Sequence, residues 1–176
     1  MTNRIKILGI NIDSLTMRET VDAVEKYVLE KRALHLMGVN ADKINQCHTD
    51  GKIKKIVNDS GIINADGASV VLASKFLGTP VPERVAGIDL MQSLLELSNK
   101  KGYSVYFFGA KEEVLQDMLK VFKNDYPNLI VVGHRNGYFS EDDEQDIQED
   151  IREKNPDFVF VGITSPKKEY IIQKFM

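Results

Sequence analysis

The chain has 176 residues, 43% hydrophobic and 28% charged, with a net charge of -3. At this length folding buries roughly 70% of the unfolded surface, enough for a core without staples, and the charge balance excludes a nucleic-acid footprint, so no nucleic-acid partner is expected. A single cysteine excludes an internal disulfide, and no stretch reaches the ~20 apolar residues of a membrane span or has the make-up of a signal peptide, so a soluble cytoplasmic chain is expected.

Residues 5–12 alternate around Gly9, which predicts a short strand or hairpin arm. Thr16 and Glu19 have capping-box spacing, and Val21, Val24, Val28 and Leu29 recur at helical spacing behind them. Residues 33–39 read as a strand ended by Asn40 and Ala41. Ile44, Cys47, Ile53, Ile56 and Val57 then predict one or two helices, with Cys47 a small buried hydrophobe. A very short strand at 62–64 precedes a helix over 67–77. The apolar face of that helix is so broad that burial on most sides is expected. A proline-containing loop over 78–86 leads to an amphipathic helix over 88–101.

Residues 103–108 form a clear strand halted by Gly109 and Ala110. A helix follows over 112–125, Pro127 breaks the chain, and 129–132 read as a strand. Asn136 and Gly137 signal a turn. Ser140 and Asp143 open an acidic helix to about Lys154, and 158–163 are an almost continuous apolar strand. Ser165 stands where it can cap a helix whose first position is Pro166. From Ala33 onward strands alternate with helices, with no hairpin signals between them. The predicted class is therefore α/β: a Rossmann-like doubly wound, mostly parallel sheet with helices on both faces, plus a short N-terminal strand or hairpin. No repeat or linker interrupts it, so residues 1–176 are expected to form a single core. Ile171, Ile172 and Phe175 keep helical register up to Met176, which suggests a truncated chain or an exposed apolar helix tail.

In such folds chemistry gathers at the carboxyl ends of the strands. Those ends carry Gly38, Asn40, Asp66, Gly109, Gly137, Tyr138, Thr164 and Ser165. Glycine there lets a ligand approach the backbone, and the helix starts that follow offer N–H groups suited to a diphosphate. Asp66 is the one carboxylate placed as a general base, although its position alone favours a cap on the next helix. Arg84 suits either a phosphate or sugar contact, or a solvated pair with a neighbour. Asn40 can bind sugar hydroxyls or simply end its strand, and Tyr138 can stack on a base or serve as an apolar lid. Lys167 and Lys168 open the last helix, where cations are unfavourable unless an anion sits there. Glu141–Glu144 reads as a favourable helix start in preference to a metal-binding pair, and the three histidines lack ligand spacing, so no metal is expected. The chain has no G-x-G-x-x-G, no P-loop and no G-x-S-x-G. A nucleotide-binding oxidoreductase and a non-catalytic binding module remain as alternatives.

The segments N-A-D-G and V-P-E-R-V-A-G-I-D-L, followed by Y-F-F-G-A-K-E-E-V, N-G-Y-F and P-D-F-V-F-V-G-I-T-S-P-K-K-E, fall in one order along nearly the whole chain. Together they resemble the WecG/TagA/CpsF glycosyltransferase family. The resemblance implies an inverting, metal-independent transferase of wall teichoic acid linkage-unit synthesis, needing no cofactor. It would move N-acetylmannosamine from UDP-ManNAc to undecaprenyl-diphosphate-GlcNAc in a β-1,4 linkage. It implies Asp66 as base, Asn40, Arg84 and Lys168 as substrate-binding residues, and Gly109, Ala110, Gly137, Tyr138, Thr164 and Ser165 around the nucleotide. Where the family often has Thr-Val-Asn and Pro-Arg-Gln-Glu, this chain has Gly38-Val39-Asn40 and Pro166-Lys167-Lys168-Glu169. Family members continue past this length with a basic, membrane-proximal tail. The resemblance therefore implies peripheral attachment to the inner membrane face through that tail, self-association into a homo-oligomer, and poor activity without the tail.

Overall fold

A computed structural model describes residues 4–176. Strands β1 (Arg4–Ile7) and β2 (Ile10–Asp13) form an antiparallel hairpin. Its two-residue turn has φ of +49° at Leu8 and +81° at Gly9, the geometry that matches the twist of paired strands. Helix α1 (Met17–Leu29) starts at the capping box, with Thr16 and Glu19 satisfying each other's backbone N–H groups. Next come β3 (Leu36–Val39), α2 (Ala41–Thr49), α3 (Gly51–Asp59), β4 (Ile62–Ala65), α4 (Ala68–Phe76) and α5 (Gly87–Lys101). The rest is β5 (Ser104–Gly109), α6 (Glu112–Asp125), β6 (Ile130–Arg135), α7 (Glu144–Lys154), β7 (Phe158–Gly162) and α8 (Lys167–Phe175).

The α/β class and the parallel pairing are as the alternation of elements predicts. The parallel strands are divided between two sheets: β3 pairs with β4, and β5 lies between β6 and β7. The chain falls into two compact units. One comprises the residues up to Leu90 with Glu169–Lys174 and Met176, the other Met91–Lys168 with Phe175.

In the first unit all four residues of β4 are buried, as a strand covered on both faces requires. Its core joins the hairpin (Ile7, Ile10, Ile12), β3 and β4 (Met37, Val39, Ile63) and the helices (Ile44, Cys47, Ile53, Val57, Val70). Asp13 is buried at the end of β2. It accepts two guanidinium bonds from Arg4 at 2.8 Å and the backbone N–H of Ile63 at 2.8 Å. Lys43 and Glu169 form a buried ion pair at 2.7 Å, joining α2 to α8.

In the second unit Val105, Tyr106, Phe107 and Phe108 of β5 are fully buried between the flanking strands and helices. Phe107 packs between Phe122 and Phe160. The register of β5 against β6 skips one residue between Val105 and Tyr106. Gly133 is needed there, because a Cβ would lie 2.5 Å from the Tyr106 ring. Burial, and a bond donated to Asp150, hold the Tyr106 hydroxyl protonated well above its ordinary range.

Two expectations are corrected. Helix α4 buries only Val70 and Ser74, while Leu72, Phe76 and Leu77 are exposed. Its neighbours cover one side only, so its breadth of apolar residues does not reflect burial all round. The last helix begins at Lys167; Pro166 lies before it, after a cis peptide bond from Ser165.

Candidate active site

In the first unit the carboxyl ends of β3 and β4 bring Gly38, Asn40 and Asp66 together. The Asp66 N–H donates to the Val39 carbonyl at 2.9 Å, which extends the parallel pairing by one residue. The Asp66 carboxylate lies over Gly38, where an added Cβ would meet its Oδ2 at 2.8 Å. It also flanks Gly87, whose Cβ would stand 3.4 Å from the same oxygen. Gly38 and Gly87 are exposed and Asp66 is half-buried, so the carboxylate sits at a glycine-lined opening. The N-cap of α4 is Gly67, which has no side chain to offer. Asp66 therefore stands one position outside the helix instead of serving as its cap residue, close enough for the helix dipole to favour its anion.

Asn40 caps α2, its Oδ1 accepting the Lys43 N–H at 2.9 Å. It abuts Gly67, whose Cβ would come within 3.3 Å of the Asn40 Cβ. The strand-ending reading and a place beside Asp66 therefore hold together. Arg84 is exposed and reaches Asp89 at 3.4 Å. Its loop is stitched down: the Ser74 hydroxyl accepts from the Val81 N–H, the Val85 N–H donates to the Ala65 carbonyl, and the Glu83 carboxylate accepts from the Met17 N–H. A stiff loop thus presents a guanidinium whose pair with Asp89 is long and exposed, worth little against a phosphate.

In the second unit Gly109, Ala110 and Gly137 meet at the carboxyl ends of the three strands. Gly109 has φ +143°, and a Cβ on it would overlap the Gly162 backbone at 2.4 Å. The Ala110 N–H donates to the Gly162 carbonyl at 3.0 Å, and the Gly137 N–H to the Ala110 carbonyl at 2.8 Å. These two N–H groups hold the platform together, so a ligand would meet it by packing, not through these donors. Tyr138 is 68% exposed beside it, on an Asn136 turn whose side-chain oxygen accepts the Tyr138 N–H. Asn136 in turn donates to Glu112, which holds that carboxyl below its ordinary range. Thr164 and Ser165 lie on the short turn before α8, where the Thr164 carbonyl accepts the Lys168 N–H. Asp143 of the acidic segment accepts from the Ser140 N–H and hydroxyl and faces Arg135 at 3.6 Å, consistent with a helix start.

Sequence reading missed the ring partner of Lys167 and the Lys43–Glu169 pair. Lys167 lies 3.6 Å above the Phe139 ring, next to Tyr138. The Lys43–Glu169 pair fixes the first turn of α2, the turn that Asn40 caps.

Residues 5–176 match the model of the Glycosyl transferase WecG/TagA/CpsF family. A relative from Staphylococcus aureus (strain NCTC 8325 / PS 47), named N-acetylglucosaminyldiphosphoundecaprenol N-acetyl-beta-D-mannosaminyltransferase, is 31% identical over 170 residues. The match covers 96% of this chain and 66% of the relative. A Bacillus spizizenii protein of the same name is 28% identical over 149 residues, covering 85% of this chain and 57% of the relative. The chain thus spans about two thirds or less of the length of these curated relatives. With the family model matching almost end to end, the chain belongs to the WecG/TagA/CpsF glycosyltransferase family.

Proposed function

We propose that this chain is the core of an inverting, metal-independent transferase that moves N-acetylmannosamine from UDP-ManNAc to GlcNAc-diphosphoundecaprenol. The observation that carries this reading is the half-buried Asp66 carboxylate at a glycine-lined opening beside Asn40, one residue outside a helix start. Membership in the family and the names of the two relatives support the sugar and the acceptor.

The roles are assigned unit by unit. Asp66 takes the proton from the acceptor 4-hydroxyl. As that proton leaves, the hydroxyl oxygen bonds to the anomeric carbon, and the bond from that carbon to the diphosphate breaks with its electrons going to UDP. A helix-stabilised carboxylate is a weak base, which suits late proton removal in a transfer driven by departure of the leaving group. Asn40 orients sugar hydroxyls with its amide N–H, and Arg84 exchanges its exposed pair with Asp89 for phosphate charge. In the second unit the Gly109, Ala110 and Gly137 platform admits the nucleotide closely, Tyr138 stacks on the base, and Thr164, Ser165 and Lys168 contact the phosphates.

The test is transfer from UDP-ManNAc to a GlcNAc-diphosphate lipid, in this chain and in a form extended to the length of its relatives. Asp66→Asn is expected to lower turnover by at least about 10²-fold, the scale of a lost general base, with UDP affinity unchanged. A chelator is expected to leave turnover intact. Full turnover by the Asn variant would remove Asp66 from the role, and thermal stabilisation by NAD(P) in place of UDP would favour redox chemistry.

A further inference from the structure

We infer that Glu112 is a positioning residue for the nucleotide: it acts through Asn136 to hold Tyr138 ready for the base. The inference rests on the proposed reading of Tyr138 as the residue that stacks there. Asn136 Nδ2 donates to Glu112 Oε2 at 2.9 Å, and Asn136 Oδ1 accepts the Tyr138 N–H at 3.0 Å. The two bonds use opposite ends of one amide. Turned over, that amide would set its own N–H groups against the Tyr138 N–H. An ionised carboxylate offers acceptors only, so Glu112 selects the orientation in which oxygen meets the Tyr138 N–H. The bond from Asn136 is the chief influence that lowers the Glu112 carboxyl below its ordinary range, so it stays an acceptor at neutral pH. Its other oxygen accepts from Gln116 at 2.8 Å, one turn further along α6, which steadies the carboxylate.

The residues on each side of Tyr138 are tied down as well. The Gly137 N–H donates to the Ala110 carbonyl at 2.8 Å. The Phe139 ring packs 5.3 Å from the Phe108 ring of β5, and Lys167 both covers that ring and donates to the Phe139 carbonyl at 3.4 Å. Asn136, Gly137 and Phe139 are half-buried, whereas Tyr138 is exposed. An open ring on an anchored backbone is the arrangement of a preformed stacking surface, which loses little freedom when a base arrives. The relay from Glu112 is the tie that reaches Tyr138 itself. An acid in the first turn of α6 also favours the helix dipole, so the test has to separate the charge of Glu112 from its bond to Asn136.

Calorimetric titration of the 176-residue chain with UDP makes that separation. Glu112→Ala is expected to lower UDP affinity roughly three- to tenfold, the scale of one exposed hydrogen bond. In a Tyr138→Leu background the same change should have no effect. Glu112→Gln keeps an acceptor oxygen without the charge and should bind UDP as the parent does, which a role through the dipole would not allow. Asn136→Asp keeps the oxygen that meets the Tyr138 N–H but sets two carboxylates against each other, and should bind as weakly as Glu112→Ala. Combined with Glu112→Gln, whose amide can donate to the new carboxylate, it should recover the parental affinity. Parental affinity in Glu112→Ala or Asn136→Asp, weakened binding in Glu112→Gln, or an equal loss with and without the Tyr138 ring overturns the inference. A parent that does not bind UDP overturns the inference together with the proposed function. UDP binding with the full pattern above, but no sugar transfer by the form extended to the length of the relatives, counts against the proposed function alone.

Discussion

At the scale of single residues, the site combines groups that already have structural work with groups open to a ligand. Asn40 is the clearest case, because its Oδ1 caps α2 while its Cβ abuts Gly67, the residue after Asp66. Two substitutions separate the roles. Asn40→Ala should lower stability by about 1 kcal/mol, the usual loss of a cap, and lower turnover as well. Asn40→Ser keeps a capping oxygen, so its urea midpoint should stay near the parent's while turnover still falls. Equal turnover in the serine variant would leave Asn40 with the cap alone. Gly109 was legible as a strand-ending glycine, but not that it abuts Gly162, 53 residues away in sequence and at 2.4 Å from an added Cβ. That proximity depends on β5 and β7 lying side by side, which no local pattern encodes.

At the scale of elements, local signals were read well. The Thr16–Glu19 capping box, the acidic start of α6 and the continuous apolar runs of β5 and β7 all depend on near neighbours in sequence. Helix α4 was misread because its apolar residues spread around the axis, so composition could not say which side meets the core. The Lys43–Glu169 pair was invisible for another reason: its partners are 126 positions apart. With side-chain exposures of 8% and 0%, neither charge has water to fall back on. Glu169→Ala should destabilise the chain by about 3 kcal/mol, since it removes the acid paired with a buried cation. Lys43→Met combined with Glu169→Leu should recover most of that loss, because apolar replacement of a whole buried pair is often neutral. Urea unfolding of the three variants checks both outcomes, and additive losses would contradict the coupling.

At the scale of the whole molecule, the α/β class and parallel pairing were legible from alternation, while the division into two sheets was not. Strand order is set by contacts between distant segments, which periodicity does not record. Acid sensitivity also belongs at this scale, because several carboxyls are held below their ordinary range. The Tyr170 hydroxyl does this chiefly to Asp50, Ser140 to Asp143 and Lys154 to Asp150. For a group lowered in the folded state, the stabilisation is present above its unfolded value, about 4, and disappears as pH falls through the folded value. The melting temperature should therefore be level from neutrality to about pH 5 and fall below about pH 4. Tyr170→Phe removes the largest influence on Asp50, so its melting temperature should fall less steeply over that acid range. An acid slope identical to the parent's would show that the hydroxyl bond does not hold Asp50 down.

The distance along the chain between Lys43 and Glu169 also bears on how the protein is made. A ribosome adds roughly 5–20 residues each second, so the lysine emerges many seconds before its counter-ion exists. Until then the nascent first half carries that ammonium group without Glu169, the partner that ties α2 to α8. Translation of α8 supplies that acid, so completion of the early half waits until synthesis has passed Glu169.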